Sequence, residues 1–302
     1  MDDVLTADGL WKTFGRVTAL QNVSLRIPRG SLYSLLGPNG SGKSTLLGLA
    51  SGLMKPSQGS IRVLDQDPFK KLPTLAQKIG IAFDDHTLPR WATGKKFLSF
   101  AAKLKGFNNH KKEAEKAAEH LGVTEYWRRE IRTYSAGMYK KLVLSQALLG
   151  DPDLLLLDEP AGNLDAGSKR TLRGLMVEKV KEGHTVIIAS HMLGEVQDSS
   201  HLAIMLNGRV VTSGRVSELA LKDTAVATVV ETSAPEEAVR VLLEVDVHPL
   251  TVEPGRLEVP VGRDQAIETL KVLDGRGIPY RVAEEKVDIF RIYKIALALE
   301  AS

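Results

Sequence analysis

Three short stretches of this 302-residue chain carry side chains able to handle phosphate and water. The first is GPNGSGKS, Gly37 to Ser44, followed by Thr45. Gly37, Gly40 and Gly42, with Pro38, Asn39 and Ser41 between them, let backbone N–H groups turn inward around phosphate oxygens, and the helix that follows adds the positive end of its dipole. The full GxxxxGK[ST] pattern between an apolar strand and a helix is highly specific for a nucleotide phosphate loop. In such a loop Lys43 brings a mobile cation to the β- and γ-phosphates, and the Ser44 hydroxyl is placed to bind Mg²⁺. The second stretch, LLLLDEP, ends an apolar strand in Asp158 and Glu159. An Asp after a hydrophobic strand is often only a cap or turn former; beside a phosphate loop it becomes the second metal ligand, and Glu159 a general base for an attacking water. The third is RTYSAGMYKK, Arg132 to Lys141, where a Ser-Ala-Gly turn opens onto a basic run compatible with a helix. A helix start of that kind can also hold an anion, so one chain carries two candidate phosphate sites.

The elements that must position these residues follow from hydrophobic periodicity. Residues from about 4 to 35 read as strands, a helix is predicted from about Gly42 to Leu53, and GSIRVLD and KIGIAF are further strands separated by a polar, Pro-punctuated loop. From about Asp85 to Ala147 the pattern is helical, with GKKFLSFAAKLKG and KKEAEKAAEHLG both amphipathic and both stopped by Gly. DLLLLD and HTVIIAS, on either side of the helix AGSKRTLRGLMVEKVKEG, are apolar enough to be buried on both faces of a parallel sheet. This alternation makes the class α/β. After LNGRVVTSG and a short helix near VSELAL the scale changes. VATVVET, APEEAVRVLLEV, LEVPV, RDQAIETLKVLDGRG and PYRVAEE read as a small α+β domain of ferredoxin-like type, with a closing helix near VDIFRIYKIALALE. The expected organisation is residues 1–220 as one domain, its helical part at about 85–150, and 221–302 as the second.

Composition narrows the function classes. With 43% hydrophobic and 25% charged residues and a formal net charge of +3, the chain is an ordinary globular one, and its basic residues are spread rather than blocked as in a nucleic-acid arm; no nucleic-acid partner is expected. There is no cysteine, which excludes thiol catalysis, disulfides and zinc fingers. The N-terminus lacks a signal-peptide layout and no apolar run reaches the roughly 18 residues of a membrane span. Work at a membrane would therefore require another chain to span it.

With Gly37 to Thr45, YSAGM and LLLLDEP in this order, about residues 4 to 220 resemble the ATP-binding subunit of ABC transporters, in the exporter branch that includes drug- and polysaccharide-export ATPases. The resemblance implies a RecA-like P-loop core with an antiparallel β subdomain and a helical subdomain. It implies ATP and Mg²⁺ as ligands and a cytoplasmic place on the inner face of the membrane through a permease subunit. It further implies pairing with a second ATPase subunit, the same or different. LWKTFGRVTAL is similar to the family's adenine-stacking loop, which would put Phe14 against the base. Tyr134, Ser135, Ala136, Gly137 and Met138 occupy the signature, which in this family contacts the γ-phosphate of ATP held by the other subunit. Ser135 and Gly137 would therefore act in trans, and two head-to-tail chains would enclose two ATPs. His191, in IIASHML, falls where the family has its switch histidine on the γ-phosphate, and AGNLD resembles the inter-subunit loop ending at Asp165, whose local alternative is a helix N-cap.

Two positions depart from the family. Where a metal-ligating, partner-sensing glutamine is usual, this chain has Asp84, followed by Asp85 and His86. Asp84 is either a further Mg²⁺ ligand or a plain loop residue, and extra negative charge there would slow hydrolysis or weaken coupling. Ala136 stands where glycine is commonest and is harmless only if its φ is negative. The stretch near Asp84 to Lys96 is expected to meet the membrane subunit, with WATGKKFLSF basic where the family often has an acid. The accessory domain shows no catalytic constellation and is expected to be regulatory or dimer-stabilising. Two rival readings are a non-transport ABC ATPase and a regulatory module that seldom hydrolyses.

Overall fold

Leucine-rich strands with both faces covered organise the chain. The computed structural model describes residues 2–85, 87–223, 228–259, 263–283, 289, 292 and 293, and divides into two compact units, Met1–Ser213 and Gly214–Ser302. In the first unit β1 (Asp3–Phe14) and β2 (Val17–Pro28) form an antiparallel pair, and β3 (Leu32–Leu36), with all five residues buried, leads through the phosphate loop into α1 (Lys43–Ala50). Next, β4 (Gln58–Val63) pairs antiparallel with β1, so that β2, β1 and β4 make a three-stranded sheet. A helical turn, α2 (Leu72–Leu75), precedes β5 (Ile79–Ala82). Then come α3 (Gly94–Leu104), α4 (His110–Glu119) and α5 (Ala136–Ala147), the expected helical segment. The chain returns as β6 (Leu154–Asp158), α6 (Ala166–Lys181) and β7 (Thr185–Ser190), then β8 (His201–Leu206) and β9 (Arg209–Arg215).

These strands form a six-stranded sheet in the order β5-β6-β7-β3-β8-β9, whose first five members run parallel. Asn207 and Gly208, both at positive φ (49° and 77°), make the two-residue turn that lets β9 fold back. The runs of Leu and Ile are explained by the two layers that cover the sheet. Leu155, Leu157, Val186 and Ile188 face a core shared with the helical segment and α6. Leu154, Leu156, Ile187 and Ala189 face the opposite core, with α1 and the three-stranded sheet. Alternation along a strand thus fills both layers, each fully buried Leu or Ile contributing about 1.5–3 kcal/mol.

The second unit holds α7 (Val216–Asp223), β10 (Thr228–Thr232), α8 (Pro235–Leu243), β11 (Leu250–Glu253), β12 (Arg256–Val259), α9 (Arg263–Asp274) and β13 (Tyr280–Val282). Its antiparallel sheet has the order β11-β12-β10-β13, and the chain order from β10 onward is βαββαβ, the ferredoxin-like topology. The strand β11 is absent from the sequence reading: it has four residues, pairs on one side only and turns at once through Pro254-Gly255, so it gives little periodic signal. The expected closing helix lies, except for residues 289, 292 and 293, outside the described residues, as does His86. Among the described residues no helix is long and apolar enough to cross a membrane.

Candidate functional site: a phosphate loop at the carboxyl edge of the sheet

Gly37 follows β3, Asp158 ends β6, His191 follows β7, and Asp84 lies two residues beyond β5. Because β5, β6, β7 and β3 are parallel neighbours, all four positions emerge at one edge, the place where open α/β sheets bind ligands. Topology alone therefore gathers residues drawn from across 150 positions of sequence.

Backbone crowding dictates the glycines of the loop. A Cβ on Gly37 would lie 2.2 Å from the Met205 carbonyl oxygen, and one on Gly42, where φ is 100°, 2.6 Å from that of Ala19. Pro38, Asn39 and Gly40 form the exposed rim, while Ser41 is buried and Thr45 half-buried. The start of α1 has Gly42 as its N-cap and no side-chain cap, so its N–H groups are left for a ligand. Lys43 is buried with its ammonium folded into the loop, donating to the Gly37 and Pro38 carbonyls at 2.7 and 3.0 Å. Burial pushes its pKa down, against the opposing pull of Glu159 and Asp158. The buried Ser41 hydroxyl has no partner.

Asp158 is only 4% exposed, and its Oδ1 is a buried oxygen without a hydrogen bond. Desolvation holds its pKa above the ordinary carboxylate range, helped by the Glu159 and Asp84 charges, while a hydrogen bond with the Ser44 side chain and the Lys43 charge oppose the rise. A buried, unpartnered carboxylate oxygen beside a serine hydroxyl is an oxygen donor set suited to a hard cation, and the residues fit Mg²⁺.

Glu159 sits at positive φ, 43°, directly after the strand. Its Oε1 accepts from the His191 backbone N–H at 3.1 Å and contacts His191 Nδ1 at 2.9 Å, and its Oε2 accepts from Ser190 Oγ at 3.3 Å. In this conformation His191 therefore orients the candidate base, with the proton that joins them on Nδ1. The single Ser190 hydroxyl proton is shared with Glu195, whose Oε2 lies nearer, at 2.8 Å. Ser190 and Glu195 carried no motif signal; strand β7 ending beside β6 is what makes them neighbours of Glu159.

Asp84 is not an isolated loop residue. Its Oδ1 accepts from Lys140 Nζ at 2.9 Å, and the same ammonium reaches the Asp158 backbone carbonyl at 3.3 Å. Lys140, invisible in the sequence as one of two lysines in a basic run, is buried.

The second candidate anion site stands apart. Ser135 is the N-cap of α5, its Oγ accepting from the Met138 N–H at 3.2 Å. Ala136 opens the helix at negative φ, so its methyl meets no backbone strain. Gly137 packs against the loop before α6: a Cβ there would lie 3.0 Å from the Asn163 carbonyl oxygen. Tyr134 stacks edge-on with Tyr126, whose hydroxyl donates to the Met138 carbonyl at 3.3 Å. Asp165 caps α6 through the Ser168 N–H at 2.7 Å and hydroxyl at 3.0 Å. Among the described residues no hydrogen bond or ion pair joins residues 134–138 to the phosphate loop. Phe14, 47% exposed at the end of β1, has the Lys12 ammonium 4.8 Å from its ring centroid.

Known proteins are similar to this chain in sequence and fold. The ABC transporter family profile matches residues 20–162. The ABC transporter ATP-binding protein NatA of Bacillus subtilis (strain 168) is 35% identical, over 67% of this chain and 84% of that protein. The bacitracin transport ATP-binding protein BcrA of Enterococcus faecalis is 32% identical, over 72% of this chain and 71% of its own length. Among solved structures, cbiO1 from Clostridium perfringens, part of the cbiONQ ABC transporter complex, is 30% identical with a TM-score of 0.62, over 72% of this chain and 91% of that one.

Proposed function

The chain belongs to the ABC transporter ATP-binding proteins, of the exporter type, and from that premise we propose that it hydrolyses Mg·ATP as one half of a dimer that drives export through a separate membrane subunit. Lys43 and, from the opposite chain, Ser135 neutralise the γ-phosphate, with Gly137 allowing close backbone approach and Phe14 stacking on the base. Ser44 and Asp158 hold Mg²⁺, which when bound neutralises charge on the β- and γ-phosphate oxygens. Glu159 takes the proton of the attacking water while His191, now bonded to the carboxylate, keeps that carboxylate aimed. Tyr134 to Met138 and Asp165 form the contact between the two chains, and residues 221–302 are an accessory domain.

The observation that carries this reading is the unpartnered oxygen of buried Asp158 beside Ser44, at the mouth of a loop whose lysine is folded inward. Calorimetric titration of the chain with ATP, with and without Mg²⁺, followed by measurement of phosphate release, tests it. Mg²⁺-dependent binding and turnover are expected, both lost in Asp158→Asn; binding without turnover would favour a regulatory module.

A further inference from the structure

Asp84 and Lys140 form a charge pair whose surroundings are informative. Asp84 lies at the end of β5, where its carboxylate adds to the negative charge of Asp158 and Glu159. Lys140 stands one helical turn into α5 from Ser135, with its side chain 5% exposed. Its ammonium bridges Asp84 Oδ1, at 2.9 Å, and the backbone carbonyl of Asp158, at 3.3 Å. The same Oδ1 lies 3.9 Å from the position a Cβ on Gly162 would take, beside the loop that leads to Asp165. One cation thus touches the end of the metal-binding strand, the Asp84 loop and the signature helix together. Asp84 itself is half exposed, so only the lysine is obliged to stay paired.

We propose that Lys140 is a positioning residue for the nucleotide site: it claims the Asp84 carboxylate as its counter-ion, keeps it from ligating the metal, and ties the Asp84 loop and the Asp158 strand end to the helix that begins at Ser135. A carboxylate is tolerated at this position because a buried lysine answers it. A buried ammonium needs such a partner: removing Asp84 leaves the lysine uncompensated, whereas removing Lys140 leaves a carboxylate that solvent can reach. The pair links the cis phosphate site to the surface offered to a second chain through one side chain. This inference rests on the proposed Mg·ATP function.

The test uses the full chain and four variants, Lys140→Gln, Lys140→Arg, Asp84→Gln and the double variant Lys140→Gln/Asp84→Gln. Two quantities are read: the free Mg²⁺ concentration that half-saturates ATP binding, and the unfolding midpoint without nucleotide. Lys140→Gln frees Asp84 toward the site, lowering the Mg²⁺ requirement by roughly fivefold to tenfold, the size of coupling within one charged network, and shifting the unfolding midpoint. The double variant returns both to wild type, and Lys140→Arg stays close to wild type. Asp84→Gln alone lowers the unfolding midpoint and shifts the Mg²⁺ requirement far less than Asp158→Asn does. If Asp84→Gln raises the Mg²⁺ requirement as Asp158→Asn does, Asp84 is a metal ligand and the proposal is overturned. Strict additivity of the two single changes in both quantities overturns it as well. Failure of the wild-type chain to bind ATP would instead overturn the functional reading, while non-additive unfolding midpoints would still support the pairing.

Discussion

The starts of α1 and α5 both bring Ser and Gly residues together, and they are finished differently. The start of α1 has Gly42 in a left-handed conformation and no side-chain cap, a buried lysine folded into the loop, and a buried carboxylate nearby with one oxygen unpartnered. The start of α5 is capped by its own Ser135 and is exposed. The first leaves backbone donors and a charged set to be completed by a ligand; the second is already satisfied within its own chain. Ser135 accepts from Met138, so its hydroxyl proton is still available to donate. In the proposed function the first serves as a binding site in cis and the second as a surface offered to a site on another chain.

Lys43→Ala strikes the first helix start and has the largest expected effect. ATP binding and turnover fall by about a thousandfold, as for loss of a preorganised charge on the transition state, while the fold is kept. Titration calorimetry with circular dichroism checks both halves of that statement.

Glu159→Gln sharpens the comparison by joining the two starts. Turnover falls by about two to three orders of magnitude when a general base is lost, but binding does not. An ATP-loaded dimer should accumulate and be visible by sedimentation; normal turnover would remove Glu159 as the base.

Substitutions at Ser135 separate cap from contact. Ser135→Ala loses an N-cap worth about 1 kcal/mol, and turnover falls by about tenfold, with ATP affinity of the isolated chain unchanged. Ser135→Asp restores the cap and the unfolding midpoint but not turnover, because a carboxylate would face the γ-phosphate.

The smallest effect expected is one of stability. Asp158 is held above its ordinary value of 3.8 by burial first and by Glu159 and Asp84 next. A carboxylate whose folded pKa exceeds its unfolded one weakens the fold at neutral pH, and that weakening is shed as pH falls through the folded value. Asp158→Asn should thus raise the unfolding midpoint at pH 7, a gain read by thermal unfolding across pH. The gain should vanish near pH 4, within the ordinary carboxylate range, and Mg²⁺ should no longer stabilise the variant with ATP.

How far the sequence reveals this site depends on how local each signal is. Gly37 to Ser44 is legible because a phosphate loop is built from consecutive residues whose backbone does the binding. The Leu runs of β6 and β7 are legible because a sheet covered on both faces needs them. Asp84 was legible only as a departure. Its partner, Lys140, is 56 positions away and sits in a run of basic residues that reads as solvated surface. The packing of α5 against β5 turns that lysine inward, to Asp84 and the end of β6. The His191 contact with Glu159 was hidden for a similar reason, since each residue had a motif of its own and nothing in either spacing couples them. Strand β11, four residues at a sheet edge, lacks the length that periodicity requires.

Mixing two inactive variants tests most directly whether the two helix starts belong to one shared site. Lys43→Ala chains have an intact Ser135 and Ser135→Asp chains an intact Lys43, so a mixed dimer holds one complete pair. The account predicts that an equimolar mixture recovers about a quarter of wild-type ATPase activity, since half the dimers are mixed and each has one complete site of two. A mixture no more active than the average of its two components would contradict it.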